Sequence, residues 1–131
     1  MVDLQTILQS NSRLADVKEP QVALFIGATS GIGLGILKEF AQHALNPRVY
    51  LVARNAAAAA PLAEELRRIN PGGTFEIIEK DVSLIKDAEK VAEFVKSKES
   101  SIDLLCLSVG FFSLDGRQGE YSRPTAHYGV Y

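Results

Sequence analysis

The stretch Leu24–Gly33, "LFIGATSGIG", passes from an apolar run into three glycines spaced G-x-x-x-G-x-G, at Gly27, Gly31 and Gly33. Upstream, "QVALFIG" is apolar without interruption and of strand length, the pattern of a strand buried on both faces. Downstream, Ile32, Ile36, Leu37, Phe40, Ala41 and Ala44 recur at helical spacing and predict a helix from about Gly31 to Ala44. Three residues that weaken regular structure therefore gather at one strand-to-helix junction, and the rest of the chain decides what the junction serves.

Working outward, "RVYLVAR" from Arg48 is a second β-branched run. Asn55 is placed to cap the next helix, whose alanines and "LAEELRRI" favour helix. Pro61 is tolerable in a first turn and disruptive further in, so that helix is predicted to begin nearer Ala59. "NPGG" stops it, and "TFEIIEKDV" is strand three. Ser83 or Asp81 then opens a helix through Leu84, Ala88, Val91, Ala92 and Val95, and "SIDLLCLSVG" is strand four. Strands alternating with helices over short connections mean parallel pairing and right-handed crossovers. The fold class is α/β, a Rossmann-like doubly wound parallel sheet of about four strands.

Three regions are expected. Residues 1–20 form a helical extension, with a weak stripe of Leu4, Ile7, Leu8 and Leu14 ended by Pro20; 21–110 form the sheet-bearing half-domain; 111–131 form an irregular tail with local turns. A chain of 131 residues suits one domain. Its net charge of −2 offers no broad lure for nucleic acid or anionic membrane. The single cysteine, Cys106, excludes an internal disulfide and is expected to be a buried, inert thiol. "MVDLQTILQSNSRLADVKEP" mixes charges and amides where a signal peptide needs an apolar core, and the apolar runs are too short for a membrane span. A cytoplasmic protein is the expectation. His43 and His127 stand apart from other ligand types, so no metal site is predicted.

A glycine turn between a buried strand and a helix is the geometry that receives a pyrophosphate. Glycine permits positive φ and lets the ligand approach the backbone, while the first-turn amides lack helical partners and face the positive end of the helix dipole. Thr29 and Ser30 add hydroxyl donors. A plain structural turn is the competing reading. The spacing is neither G-x-G-x-x-G nor a P-loop, which needs Gly-Lys-Ser or Gly-Lys-Thr at the helix start.

"GATSGIG" resembles instead the glycine motif of the short-chain dehydrogenase/reductase family, and the resemblance runs from about Val22 to Gly110. It implies a nicotinamide dinucleotide held by Gly27, Thr29, Ser30, Gly31, Ile32 and Gly33. It implies strand order 3-2-1-4 as well. At the end of strand two, where NAD-preferring members keep an acid, stands Arg54 in "LVARN". A cation there pairs with a 2′-phosphate and favours NADP, unless Arg54 is simply a solvated strand end. In "KDVS", Asp81 and Val82 match the pair that holds the adenine edge in the family, with helix capping the rival role for Asp81.

Strand four departs from the family, which ends it with Asn-Asn-Ala-Gly. Here Leu107, Ser108, Val109 and Gly110 stand in those places. Ser108 and Gly110 leave room for the cofactor, whereas Leu107 forfeits a supporting amide. The following "FFSLDGR" resembles a fungal subgroup often tied to secondary metabolism. The family's catalytic Ser and its Tyr-x-x-x-Lys have no counterpart in these 131 residues; Tyr50 and Arg54 share that spacing but lie on a strand, and Tyr121, Tyr128 and Tyr131 are followed by no such lysine. An NADP-binding oxidoreductase type without the usual proton relay is the leading expectation. The alternative is a non-redox remnant or interaction module. Strand four, apolar and without lysine or proline, is expected at a sheet edge, where it would pair with a second copy or a partner subunit.

Overall fold

A computed structural model describes residues 1–110. The expected tail, 111–131, lies outside the described residues. In chain order the elements are α1 (Leu4–Ser12), a 3-10 turn (Arg13–Asp16), β1 (Val22–Ile26), α2 (Gly31–His43), β2 (Arg48–Ala53), α3 (Ala56–Ile69), β3 (Thr74–Glu79), α4 (Ile85–Lys98) and β4 (Leu104–Leu107). The strands form one sheet in the order β3-β2-β1-β4, all parallel. Ile26 pairs with Val52 and Leu107, and Ala53 with Glu79, so the four strands end along one rim. The doubly wound architecture expected from the alternation is the one observed.

Two apolar layers flank the sheet. On one face Ala23, Phe25, Val49, Leu51 and Phe75 pack against Leu37, Phe40 and Ala41 of α2 and Leu66 of α3. On the other, Val22, Leu24, Tyr50, Val52 and Ile78 pack against Val91 and Val95 of α4. Phe25, Leu37, Leu51 and Leu66 are among the largest fully buried side chains, each contributing about 2 kcal/mol through burial. The amide of Asn70 ties α3 to α2 by donating to the Ala41 and Ala44 carbonyls at 2.9 and 2.8 Å, satisfying acceptors at the end of α2.

The opposite rim, where the strands begin, is latched by polar contacts. Val22 N donates to the Asp103 carboxylate at 2.8 Å. Glu99, just past α4, accepts from the Tyr50 hydroxyl at 2.7 Å and from Arg48 at 2.6 Å, with its side chain only 6% exposed. Burial, followed by the hydrogen bond and charge of Glu99, pushes the Tyr50 phenol up to about 12.

Several boundaries differ from expectation. Helix α3 begins at Ala56, not near Ala59, because Asn55 Oδ1 accepts from Ala58 N at 3.0 Å and fixes the first turn. Pro61 is thus interior to the helix but on its exposed face, where the carbonyl left without a partner meets water. Neither Ser83 nor Asp81 caps α4; Asp81 closes a tight turn by accepting from Ser83 N at 3.0 Å, and Leu84 precedes the helix without a side-chain cap. Strands β3 and β4 are shorter than their apolar runs.

Burial also departs from the sequence pattern in places. Cys106 is half-buried, since β4 has a neighbouring strand on one side only among the described residues. Of the α2 stripe, Leu37, Phe40, Ala41 and Ala44 are buried, whereas Ile32 is 80% exposed above the rim. In the amino-terminal segment Leu14 packs on the core while Leu4, Ile7 and Leu8 stay exposed. Among the described residues no helix is long and apolar enough to cross a membrane.

Candidate functional site

Helix α2 lies over one face and α4 over the other, so the chain switches sides between β1 and β4. In open parallel sheets that switch point, at the strands' carboxyl ends, is where ligands bind. The turn from β1 to α2 opens directly onto it. Gly27 has φ +80° and Gly31 φ +59°, both in the left-handed region that glycine enters without strain.

The glycines do different work. A Cβ on Gly27 would strike the carbonyl of Ser108, the residue after β4, and would sit 2.8 Å from Val109 Cγ1. On Gly33, in the first turn of α2, it would meet the Gly27 carbonyl at 2.8 Å and Ser108 Cβ at 2.9 Å. These two glycines let strand, helix and the β4 end approach one another, and Ser108 N closes the contact by donating to Ile26 O at 2.8 Å. Among the described residues, nothing lies within 4 Å of such a Cβ on Gly31. Its bareness is what keeps the approach to the helix terminus clear.

That terminus is uncapped. Ser30 stands at the N-cap position with extended backbone and makes no side-chain cap. The first helical bond runs from Leu34 N to Ser30 O at 3.3 Å, which leaves the amides of Gly31, Ile32 and Gly33 outside the ladder. Thr29 and Ser30 are exposed beside them. Orphan amides, a dipole end and a cleared approach are what an anionic diphosphate requires.

The remaining candidates follow the other strand ends on the same rim. Arg54 is the first residue past β2, exposed, and forms no ion pair among the described residues. Asp81 and Val82 follow β3; Asp81 turns the backbone, and Val82 is half-buried against the α4 layer, which leaves it partly open to a flat apolar group. Gly110, φ +152°, follows β4, with no described residue within 4 Å of where its Cβ would stand. The geometry therefore gathers Gly27, Gly33 and Ser108 tightly, leaves Gly31 exposed at the turn, and strings Arg54, Asp81, Val82 and Gly110 along the rim.

One neighbour escaped the sequence pattern. Glu79, the last residue of β3, accepts from Ala56 N at 2.6 Å and so occupies the start of α3, two residues past Arg54 in the chain. Its place at the polar end of "TFEIIE" was visible, but a partner from another strand's loop was not. A groove of about 510 Å³ runs along α2 from Ile32 to Phe40, between Asn11 and Leu14 on one side and Leu104 on the other.

Comparison with known proteins agrees with this fold. The family model for short chain dehydrogenase matches residues 21–126. An NmrA-like family domain-containing oxidoreductase, notO, from an Aspergillus species is 43% identical over 120 residues, covering 90% of this chain and 36% of its own. Oxidoreductase AN1596 of Emericella nidulans is 37% identical over 118 residues, covering 89% of this chain and 35% of its own. Among solved structures, L-sorbose reductase from Gluconobacter frateurii, complexed with NADPH and L-sorbose, superposes with a TM-score of 0.64 at 29% identity, over 72% of this chain and 35% of that one. The chain thus spans about a third of the length of the curated relatives it matches. On the matched motif, the sheet order and these relatives together, the chain belongs to the short-chain dehydrogenase family.

Proposed function

We propose that this chain binds NADP(H) and forms the cofactor-holding part of an oxidoreductase. The observation that carries the proposal is the uncapped start of α2 facing an approach kept clear at Gly31. The amides of Gly31, Ile32 and Gly33 would hold the diphosphate, assisted by Thr29 and Ser30. The guanidinium of Arg54, which has no ion pair among the described residues, would hold the 2′-phosphate, since a planar, bidentate donor suits a phosphate monoester. Asp81 and Val82 would flank the adenine, with Ser108 and Gly110 bordering the path toward the nicotinamide. When bound, the nicotinamide supplies two-electron redox chemistry; the residues described here bind and orient it, and none of them is assigned proton transfer.

The NADPH in the Gluconobacter reductase complex supports a nicotinamide ligand for this rim. Arg54 favours the phosphorylated form. The Arg54→Asp variant should weaken NADPH by about tenfold or more while leaving NADH nearly unchanged, the size expected for losing a charge-assisted pair and adding a repulsive one. Equal loss of both nucleotides would remove Arg54 from the phosphate site.

For partners, we propose that the 131-residue chain on its own associates through β4. The other edge is guarded: Arg67 takes up the Phe75 carbonyl at 2.9 Å, and Glu76 is paired with Lys98 at 2.8 Å. Among the described residues β4 pairs with β1 alone, and its Leu105 and Leu107 are 55% and 62% exposed, an apolar edge strand of the kind that seeks a further strand.

A further inference from the structure

The corner where β2 and β3 end carries two opposite charges with different duties. Ala53 and Glu79 are register partners, and Lys80 N donates to Ala53 O at 3.0 Å, so the loop that carries Arg54 and Asn55 is held against the end of β3. Within that loop Asn55 Oδ1 takes the Ala58 amide and the Glu79 carboxylate takes the Ala56 amide at 2.6 Å. The start of α3, unlike the start of α2, is therefore already filled by an anion belonging to the protein. Arg54 forms no ion pair with it or with any other described acid.

Accepting the cofactor reading above, on which this step rests, we propose that Glu79 is a cofactor-discriminating residue that moderates the preference Arg54 creates. A phosphate monoester approaching Arg54 meets the repulsion of a carboxylate fixed one strand away, and the α3 amide that could have received it is taken. A ribose with a free 2′-hydroxyl meets a hydrogen-bond acceptor instead. Arg54 pulls toward NADP(H); Glu79 reduces that pull and makes NAD(H) tolerable. The acidic partner of the ribose thus comes from β3, although the sequence offers a cation at the end of β2.

Glu79→Gln separates charge from architecture, because the amide oxygen still accepts from Ala56 N. Removing one unit charge from the strand next to Arg54 should raise the NADPH-to-NADH affinity ratio by about three- to tenfold at low salt, with the gain shrinking as salt rises. Glu79→Ser, which is also uncharged, should move the ratio in the same direction. Glu64→Gln, on the outer side of α3, should leave it unchanged. Titration of NADPH and NADH against the 131-residue chain and each variant, with thermal unfolding to confirm folding, reads this out. An unchanged ratio in folded Glu79→Gln and Glu79→Ser, with both nucleotides still bound, overturns the role of Glu79 alone. Failure of the unaltered chain to bind either nucleotide overturns the cofactor reading, and this role with it.

Discussion

Gly27 and Gly31 share a positive φ but differ in surroundings, and that difference separates a packed glycine from an exposed one. At Gly27 an alanine would need both a strained backbone and room already filled by the Ser108 carbonyl, which a backbone cannot yield cheaply. Gly27→Ala should cost about 2–4 kcal/mol of stability in urea unfolding, whereas Gly31→Ala, strained but unobstructed, should cost about 1 kcal/mol. Equal losses would mean that the β4 end does not press on the turn. The spacing of the glycines was legible in the sequence because a motif is a local property. Which glycine touches Ser108 was not, since that contact joins residues about eighty positions apart. The same holds for Glu79, an ordinary polar strand end until the fold sets it against Ala56.

Elements were read well where burial is periodic and less well at their ends. The apolar runs of β1 and β2 and the helical stripe of α4 are patterns that packing enforces along a whole element. Ends depend on single contacts: Asn55 overrides the caution raised by Pro61, and Asp81 spends its side chain on a turn instead of a cap. The seam between α4 and β2 offers a test through pH. Tyr50 has its phenol raised from 10.0 to about 12 by burial and by Glu99, so the folded state favours the neutral form. The associated stability is fully present below pH 10 and is lost as pH climbs toward 12, by about 2–3 kcal/mol. Chemical unfolding measured across that range should show the decline in the unaltered chain, with the Tyr50 share of it absent in Tyr50→Phe. An identical profile in both would place the effect elsewhere. Tyr50→Phe should also cost about 1–3 kcal/mol at neutral pH, because it leaves the nearly buried Glu99 carboxylate with Arg48 alone.

At the scale of the molecule, among the described residues the sheet is guarded along β3 and unpaired beyond β4. The alternation of strands and helices made the parallel sheet readable, and the family resemblance supplied its order. The exposure of Leu105 and Leu107 followed only from seeing that α4 covers the opposite half of its face. Sedimentation of the purified 131-residue chain at micromolar concentration should give dimers or larger species; a monodisperse monomer would contradict pairing at β4. The rim proposed to bind the cofactor lies at the switch between β1 and β4, and that proposal is independent of the β4 edge. The most direct measurement is therefore titration of NADPH with the 131-residue chain, followed by the fluorescence of the nucleotide itself. A saturable rise with half-saturation below about 1 mM, displaced by 2′,5′-ADP, is the result expected of a turn that grips a diphosphate and of an arginine that grips a 2′-phosphate. No saturable change up to millimolar nucleotide, with the chain folded, would contradict it.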